Sequence, residues 1–360
     1  MTLWNRLLGN RPRRRHSHVV FEATTTCNHV CPHCYNAWEA DETYPRGLLD
    51  TKRTCELLGK IIDETRLDLL SFSGGEPMLR KDFFELVDFV AGRGVAINLI
   101  TNGSLLDRAA IDRIGPATVS LYELPLLGPN ADIHDRMSGK QGAFDRVTRA
   151  IAELKDAGED VVCAFVATNW NIDHWKDTAE LAFALGTDGI MFNRFNPGGR
   201  GLQNLEELQV DPRRLTRALD QAQALTSELN LPISCSIPMQ PCLLPHERWP
   251  DLDFGFCAAG TKNAYYAVDP LGNMRPCNHS PTILGNLLTS NFWDLVGSDE
   301  HKRFLTGHPA FCSGCRLEDE CLGGCKAAAQ VAFGDINHCD PFLSAYKDQA
   351  RKLSKNAESD

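Results

Sequence analysis

Three thiols lie within one short stretch, Cys27, Cys31 and Cys34, in a loop that also holds Asn28, Pro32 and His33. The loop follows a β-branched run whose composition predicts a strand over 19–25, so the three sulfurs can converge on one point at a strand end. A four-iron cluster takes four cysteine ligands, and three leave one iron free to bind something else. A zinc site wants a closed tetrahedron, for which His29 or His33 would supply the fourth ligand. Spacing alone leaves both readings open. Farther on, Ser73-Gly74-Gly75-Glu76-Pro77 follows a second predicted strand. Its glycines let a ligand's ammonium or carboxylate approach main-chain polar atoms, and Glu76 adds an acceptor for a cation. A second group of cysteines runs Cys257, Gly272-x4-Cys277, Cys312-x2-Cys315-x5-Cys321-x3-Cys325 and Cys339. Its CxxC pairs suit sulfur coordination of zinc or of iron-sulfur clusters alike.

The elements that must position these residues alternate strand and helix. Strands are expected at 19–25, 69–73, 96–100, 118–122, 161–168 and 189–195, and helices at 51–66, 82–92, 105–114, 144–158, 172–185 and 211–230. This order predicts an α/β fold of parallel strands joined by right-handed crossovers, a partial (β/α)6 TIM-type barrel with its active face at the strands' C-terminal ends. The barrel core spans 18–230. A small Cys-rich domain follows over 231–345, a basic arm bearing Arg6, Arg11, Arg13, Arg14 and Arg15 occupies 1–17, and a polar tail runs over 346–360.

The formal charge of −10 argues against a nucleic-acid binder, which shows a broad basic face. No apolar stretch is long enough for a membrane span, so the protein is expected in the cytoplasm. Fourteen cysteines in that compartment favour metal or redox chemistry over disulfides.

Cys27-x3-Cys31-x2-Cys34 after the first strand, with Gly74-Gly75-Glu76 after the second, resembles the radical SAM superfamily over about residues 19–196. The resemblance implies a 4Fe-4S cluster on Cys27, Cys31 and Cys34 whose fourth iron is chelated by S-adenosylmethionine. Reductive cleavage would then give a 5′-deoxyadenosyl radical that takes hydrogen from a substrate, with flavodoxin or ferredoxin as the electron donor. Matched to the family's positions, Gly74, Gly75 and Glu76 would meet the methionine portion. His33 would touch adenine, where the family usually has an aromatic residue, and Asn102 and Ser120 would reach the sulfonium, carboxylate or ribose. The segment after Ser120 departs from the family's short turn and reads as a remodelled loop, with His134 and Arg136 as further candidates.

The second cysteine group is similar to the SPASM extension of such enzymes, which holds two auxiliary clusters, 4Fe-4S in type. Carried over, Cys312, Cys315, Cys321 and Cys339 would close one cluster, while Cys257, Cys277 and Cys325 would hold the other one ligand short, with an open iron. Cys242 or Cys235 is the candidate to fill that place, whereas Cys55 and Cys163 read as core thiols. SPASM enzymes modify ribosomally made peptides, by crosslink, thioether or oxidation, so the expected substrate is a peptide. The alternative is a radical oxidoreductase on a sugar, alcohol or tetrapyrrole carboxylate, with Arg194, Arg200 and the Gly198-Gly199 turn gripping an anion. Asn278 stands where sulfatase-maturing members carry an aspartate base, which leaves Asp269, in a turn nearby, as a candidate base.

Overall fold

The structure, a computed structural model, describes residues 15–39 and 41–350. Of the basic arm only Arg15 to Ser17 fall within it, and Arg15 pairs with Asp68. The other arm arginines and the tail beyond residue 350 lie outside the described residues.

Six parallel strands follow in spatial as in sequence order: β1 (His18–Thr24), β2 (Leu69–Gly74), β3 (Ala96–Ile100), β4 (Leu121–Pro125), β5 (Val161–Ala167) and β6 (Gly189–Arg194). Because side chains alternate across a strand, one face of this sheet is apolar. Leu70, Phe72, Ile97, Leu99, Tyr122, Leu124, Phe165 and Phe192 are all at most 1% exposed and pack under the outer helices. The other face carries Ser71, Ser73, Asn98, Glu123 and Asn193, which line an interior cavity. The alternation thus separates a dry core from a chamber into which polar side chains are set.

The helices are α1 (Thr51–Thr65), α2 (Phe83–Ala91), α3 (Arg108–Ile114), α4 (Ala131–Ser138), α5 (Ala143–Asp156) and α6 (Trp175–Ala184). α1 shows why they form. Asp50 caps its start by accepting from the Arg53 N–H at 2.8 Å, and Arg66 ends it in the left-handed conformation. Between the caps Leu57, Leu58, Ile61 and Ile62 are buried on one face, each contributing about 1.5–3 kcal/mol.

The sheet does not stop at six strands. β7 (Ile233–Cys235) and β8 (Asp253–Phe254) extend it in parallel beyond β6. β9 (Tyr266–Val268) pairs in parallel with the free edge of β1 and is followed by antiparallel β10 (Asn273–Arg275) and β11 (Gly285–Asn286). Chain from beyond residue 231 therefore flanks the six-stranded sheet on both sides. Two buried ion pairs fasten it: Arg275 on β10 to Glu22 on β1, and Arg194 on β6 to Asp340.

Two expectations shift. The fourth strand runs over 121–125 rather than 118–122, because Ala117 takes a left-handed conformation and the chain joins the ladder only where Leu121 faces Asn98. The segment read as a remodelled loop contains helix α4, capped by the Asn130 side chain at one end and by left-handed Gly139 at the other.

Candidate active site

The cavity, of about 490 Å³, opens at the C-terminal ends of the strands. Cys27, Cys31 and Cys34 line it, and so do Cys257, Cys277 and Cys325, so two of the three cysteine groups face one chamber. The first loop is held there by the second motif. A Cβ on Gly74 would stand 2.4 Å from the Thr24 carbonyl oxygen, and one on Gly75 2.2 Å from that of Thr26. Only glycine allows this approach, which lets the Gly75 and Glu76 N–H groups donate to those same oxygens, each at 2.8 Å. The Asn36 amide donates to the Gly74 carbonyl at 2.9 Å from the loop's far side. Gly198, Gly199 and Gly201 close on the loop in the same way, the Gly201 N–H donating to the Cys34 carbonyl at 3.0 Å. This turn braces the cysteines and is not an anion grip.

Glu76 is fully buried and outside the cavity lining. One carboxylate oxygen accepts from the Met78 N–H at 3.1 Å and the Thr101 hydroxyl at 2.8 Å, the other from the Asn102 N–H at 2.8 Å. It fixes the turn that presents Asn102, whose amide lines the cavity and donates to the Asn28 side chain at 2.8 Å. His33 also lines the cavity, and burial lowers its pKa to about 4, so the ring is neutral; its Nδ1 has no partner among the described residues. Ser120 requires correction. It is exposed, precedes β4 and lies off the cavity, and Glu123 and Pro125 are the β4 residues that face the chamber. Burial raises the Glu123 carboxyl to about 7.

The thiols suit a cationic cluster. All fourteen cysteines are free. Burial first, then the neighbouring Cys34 and Cys27 thiolates, pushes the Cys31 thiol up, and burial holds Cys34 at about 11. Three thiolates gathered in a dry loop repel one another unless a metal centre neutralises them. In the near auxiliary set, burial, then Cys325 and Cys257, raises Cys277 to about 12. The Asn196 amide donates to the Cys325 sulfur at 3.4 Å, and Cys257 and Cys277 are each flanked by backbone N–H groups that stabilise the thiolate. Cys34, Cys277 and Cys325 thus present sulfurs with donors already in place, whereas the Cys31 thiol donates to the Ser138 carbonyl at 3.3 Å.

Several candidates fall elsewhere. Cys242 does not approach the near set: the thiols acting on it are Cys321, Cys315 and Cys339, so it joins the far set. Cys235 is 1% exposed in the core, beside Asp253. Asp269 is buried and spends both oxygens on its own turn, accepting from Leu271, Asn273 and the Tyr44 hydroxyl. Arg194 lines the cavity, but its guanidinium is committed to Asp340 and to the Pro238 and Phe195 carbonyls. Arg200 pairs with Glu39. His134 is buried on α4 and accepts from the Leu127 N–H at 3.1 Å, while Arg136 stacks over Trp170. Sequence reasoning missed a bridge across the chamber. Tyr35, next to Cys34, stacks on His279 at 3.9 Å and accepts from the Asn278 amide at 2.9 Å, both of them just past Cys277.

A family model described as the Radical SAM superfamily matches residues 21–182. An AdoMet-dependent heme synthase of Methanosarcina barkeri is 26% identical over 90% of this chain and 95% of its own length. The mycofactocin maturase MftC of Mycolicibacterium smegmatis is 27% identical over 86% and 78% of the two chains. A PqqA peptide cyclase of Granulibacter bethesdensis is 27% identical over 90% and 86%. Among solved structures, Streptococcus suis SuiB bound to its precursor peptide SuiA superposes with a TM-score of 0.72 at 15% identity, over 91% of this chain and 75% of that one, a likeness of fold.

Proposed function

The chain belongs to the radical SAM superfamily and is an iron-sulfur enzyme of that kind, and from this premise we propose that it matures a ribosomally made peptide inside the shared chamber. Cys27, Cys31 and Cys34 hold the core 4Fe-4S cluster. Cys257, Cys277 and Cys325 hold the near auxiliary cluster, and the thiols around Cys312 hold the far one. With S-adenosylmethionine bound and electrons from a donor such as flavodoxin or ferredoxin, a cluster held by Cys27, Cys31 and Cys34 would supply radical hydrogen-abstraction chemistry. The chain's own part is to bind, orient and shield. His33 packs beside the cofactor as a neutral ring, Gly74 and Gly75 keep the cysteine loop seated, and Asn102 offers an amide to the cofactor's polar end.

The observation that carries a peptide substrate is the set of amide side chains placed in a largely apolar chamber wall. Six asparagines line it: Asn36, Asn98, Asn102, Asn193, Asn196 and Asn278. Amide side chains both donate and accept, as peptide groups do. The two lining arginines are already paired with carboxylates. The lining histidines His18, His29 and His33 are held neutral by burial, each near 4, and His279 near 3. Among the described residues no lining cation is left for a substrate carboxylate. Glu123 has no side-chain hydrogen-bond partner among the described residues and serves as the proton acceptor for the oxidised substrate.

The heme synthase relatives support a second reading, a tetrapyrrole bearing carboxylates. Anaerobic reconstituted enzyme incubated with a strong reductant and S-adenosylmethionine separates the two by 5′-deoxyadenosine yield. Stimulation by peptide and none by a propionate-bearing tetrapyrrole is expected; the reverse would replace the peptide reading with the second one.

A further inference from the structure

Gln240, Pro241 and Cys242 form a tight turn, closed by the Leu243 and Leu244 N–H groups donating to the Gln240 carbonyl at 2.9 and 3.0 Å. This turn is pressed against the link between Cys321 and Cys325. A Cβ on Gly324 would stand 2.1 Å from the Gln240 amide nitrogen and 3.2 Å from the Asp340 Cβ, which places the turn beside Cys339 as well. Gln240 is 0% exposed, and neither its amide oxygen nor its amide nitrogen finds a partner among the described residues. An orphan buried polar group is costly, a cost relieved by a hydrogen-bond acceptor seated among the neighbouring thiols. Two residues on, Cys242 lies within the electrostatic reach of Cys321, Cys315 and Cys339, and Cys312 feels Cys242 in turn. Five thiols are gathered where four close a cluster.

We propose that Cys242 is a thiolate ligand of the far auxiliary cluster, able to take the position of exposed Cys315, and that Gln240 donates its amide N–H to a sulfide of the same cluster. Cys315 rides on the exposed turn after Cys312, the place where a ligand is most readily lost, whereas Cys242 is backed by the core. A donor to a cluster sulfide stabilises the more negative reduced state and raises the potential. The inference rests on the proposal that the far thiols hold iron.

Full-length protein reconstituted anaerobically with iron and sulfide tests both levels. Wild type with about twelve irons supports three four-iron clusters; about four would overturn the auxiliary reading and this inference together. Given about twelve, Cys315→Ala is expected to keep nearly all its iron and Cys242→Ala/Cys315→Ala to lose about a third. Loss of about a third of the iron by Cys315→Ala alone, as in the double variant, would show that Cys242 supplies no ligand and would overturn the proposal. Should the double variant fail to fold, Gln240→Leu decides by electron paramagnetic resonance titration: the potential of one auxiliary cluster is expected to move negative with the core signal unchanged, and unmoved potentials overturn the proposal.

Discussion

The near and far auxiliary cysteines draw on the same kinds of residue and reach opposite situations. Cys257, Cys277 and Cys325 open onto the chamber that the core loop shares, and three thiols are all the near set has. Cys312, Cys315, Cys321 and Cys339, joined by Cys242, lie off the chamber. Position relative to the cavity, and not the CxxC spacing, decides which set can meet a substrate. The link between core and near set is direct, because Tyr35 and His279 are stacked and each lies one or two residues past a cysteine proposed as a ligand, Cys34 or Cys277. Among the described residues the far set shows no such bridge to the core loop.

The largest effect expected is loss of the core. Cys27, Cys31 and Cys34 replaced together by alanine should abolish 5′-deoxyadenosine formation while leaving the auxiliary iron; retained cleavage would refute the assignment. Next comes Cys277→Ala. It should lose about a third of the iron and stop product formation, yet keep cofactor cleavage, because the core loop does not depend on that thiol. If it kept full turnover, the near set would have no part in the substrate step. Cys321→Ala should remove a similar share of iron with the core signal intact.

Gly75→Ala tests the interlock between the two motifs. Its methyl would meet the Thr26 carbonyl oxygen at 2.2 Å, and backbone cannot yield as a side chain does, so about 2–4 kcal/mol of stability should be lost. Thermal unfolding of the apoprotein reads this, and an unchanged midpoint would mean that the glycine serves the ligand alone.

The core half of that comparison was legible in the sequence, and the reason is local. Cys27, Gly74 and Asn102 lie at or just past the ends of strands five to seven residues long that are separated by clear helices, so the strand ends and the motifs on them could be placed. The flanking strands β7 to β11 are two or three residues each, too short for any period to show. Ser120 and Glu123 were exchanged because Thr118 and Val119 look like strand, while the left-handed Ala117 and the pairing of Leu121 with Asn98 decide where the ladder starts. Asp269 is taken up mainly by Leu271 and Asn273 of its own turn, and only its bond from the Tyr44 hydroxyl is distant in sequence. The grouping of Cys242 is tertiary, since a turn at 240–242 meets thiols some seventy to a hundred residues later.

The smallest effect expected is that of Glu123, the acid on the chamber wall between the two cysteine groups. Burial alone raises its carboxyl to about 7, against about 4.3 in an unfolded chain. Between those values the folded state holds a proton that the unfolded state has released. Stability therefore falls as pH rises from about 4.3 to about 7 and is level above. Because the chamber admits solvent, the size is held to roughly 1–3 kcal/mol. Glu123→Gln should remove this slope and be more stable than wild type at pH 8 but not at pH 4, as read by denaturant midpoints across that range. The same variant should lose the rise in product formation with pH that a proton acceptor near 7 imposes, while cofactor cleavage keeps its wild-type profile. A variant that lost the stability slope but kept the rise in activity would leave Glu123 a buried acid of the barrel wall and return the proton to solvent.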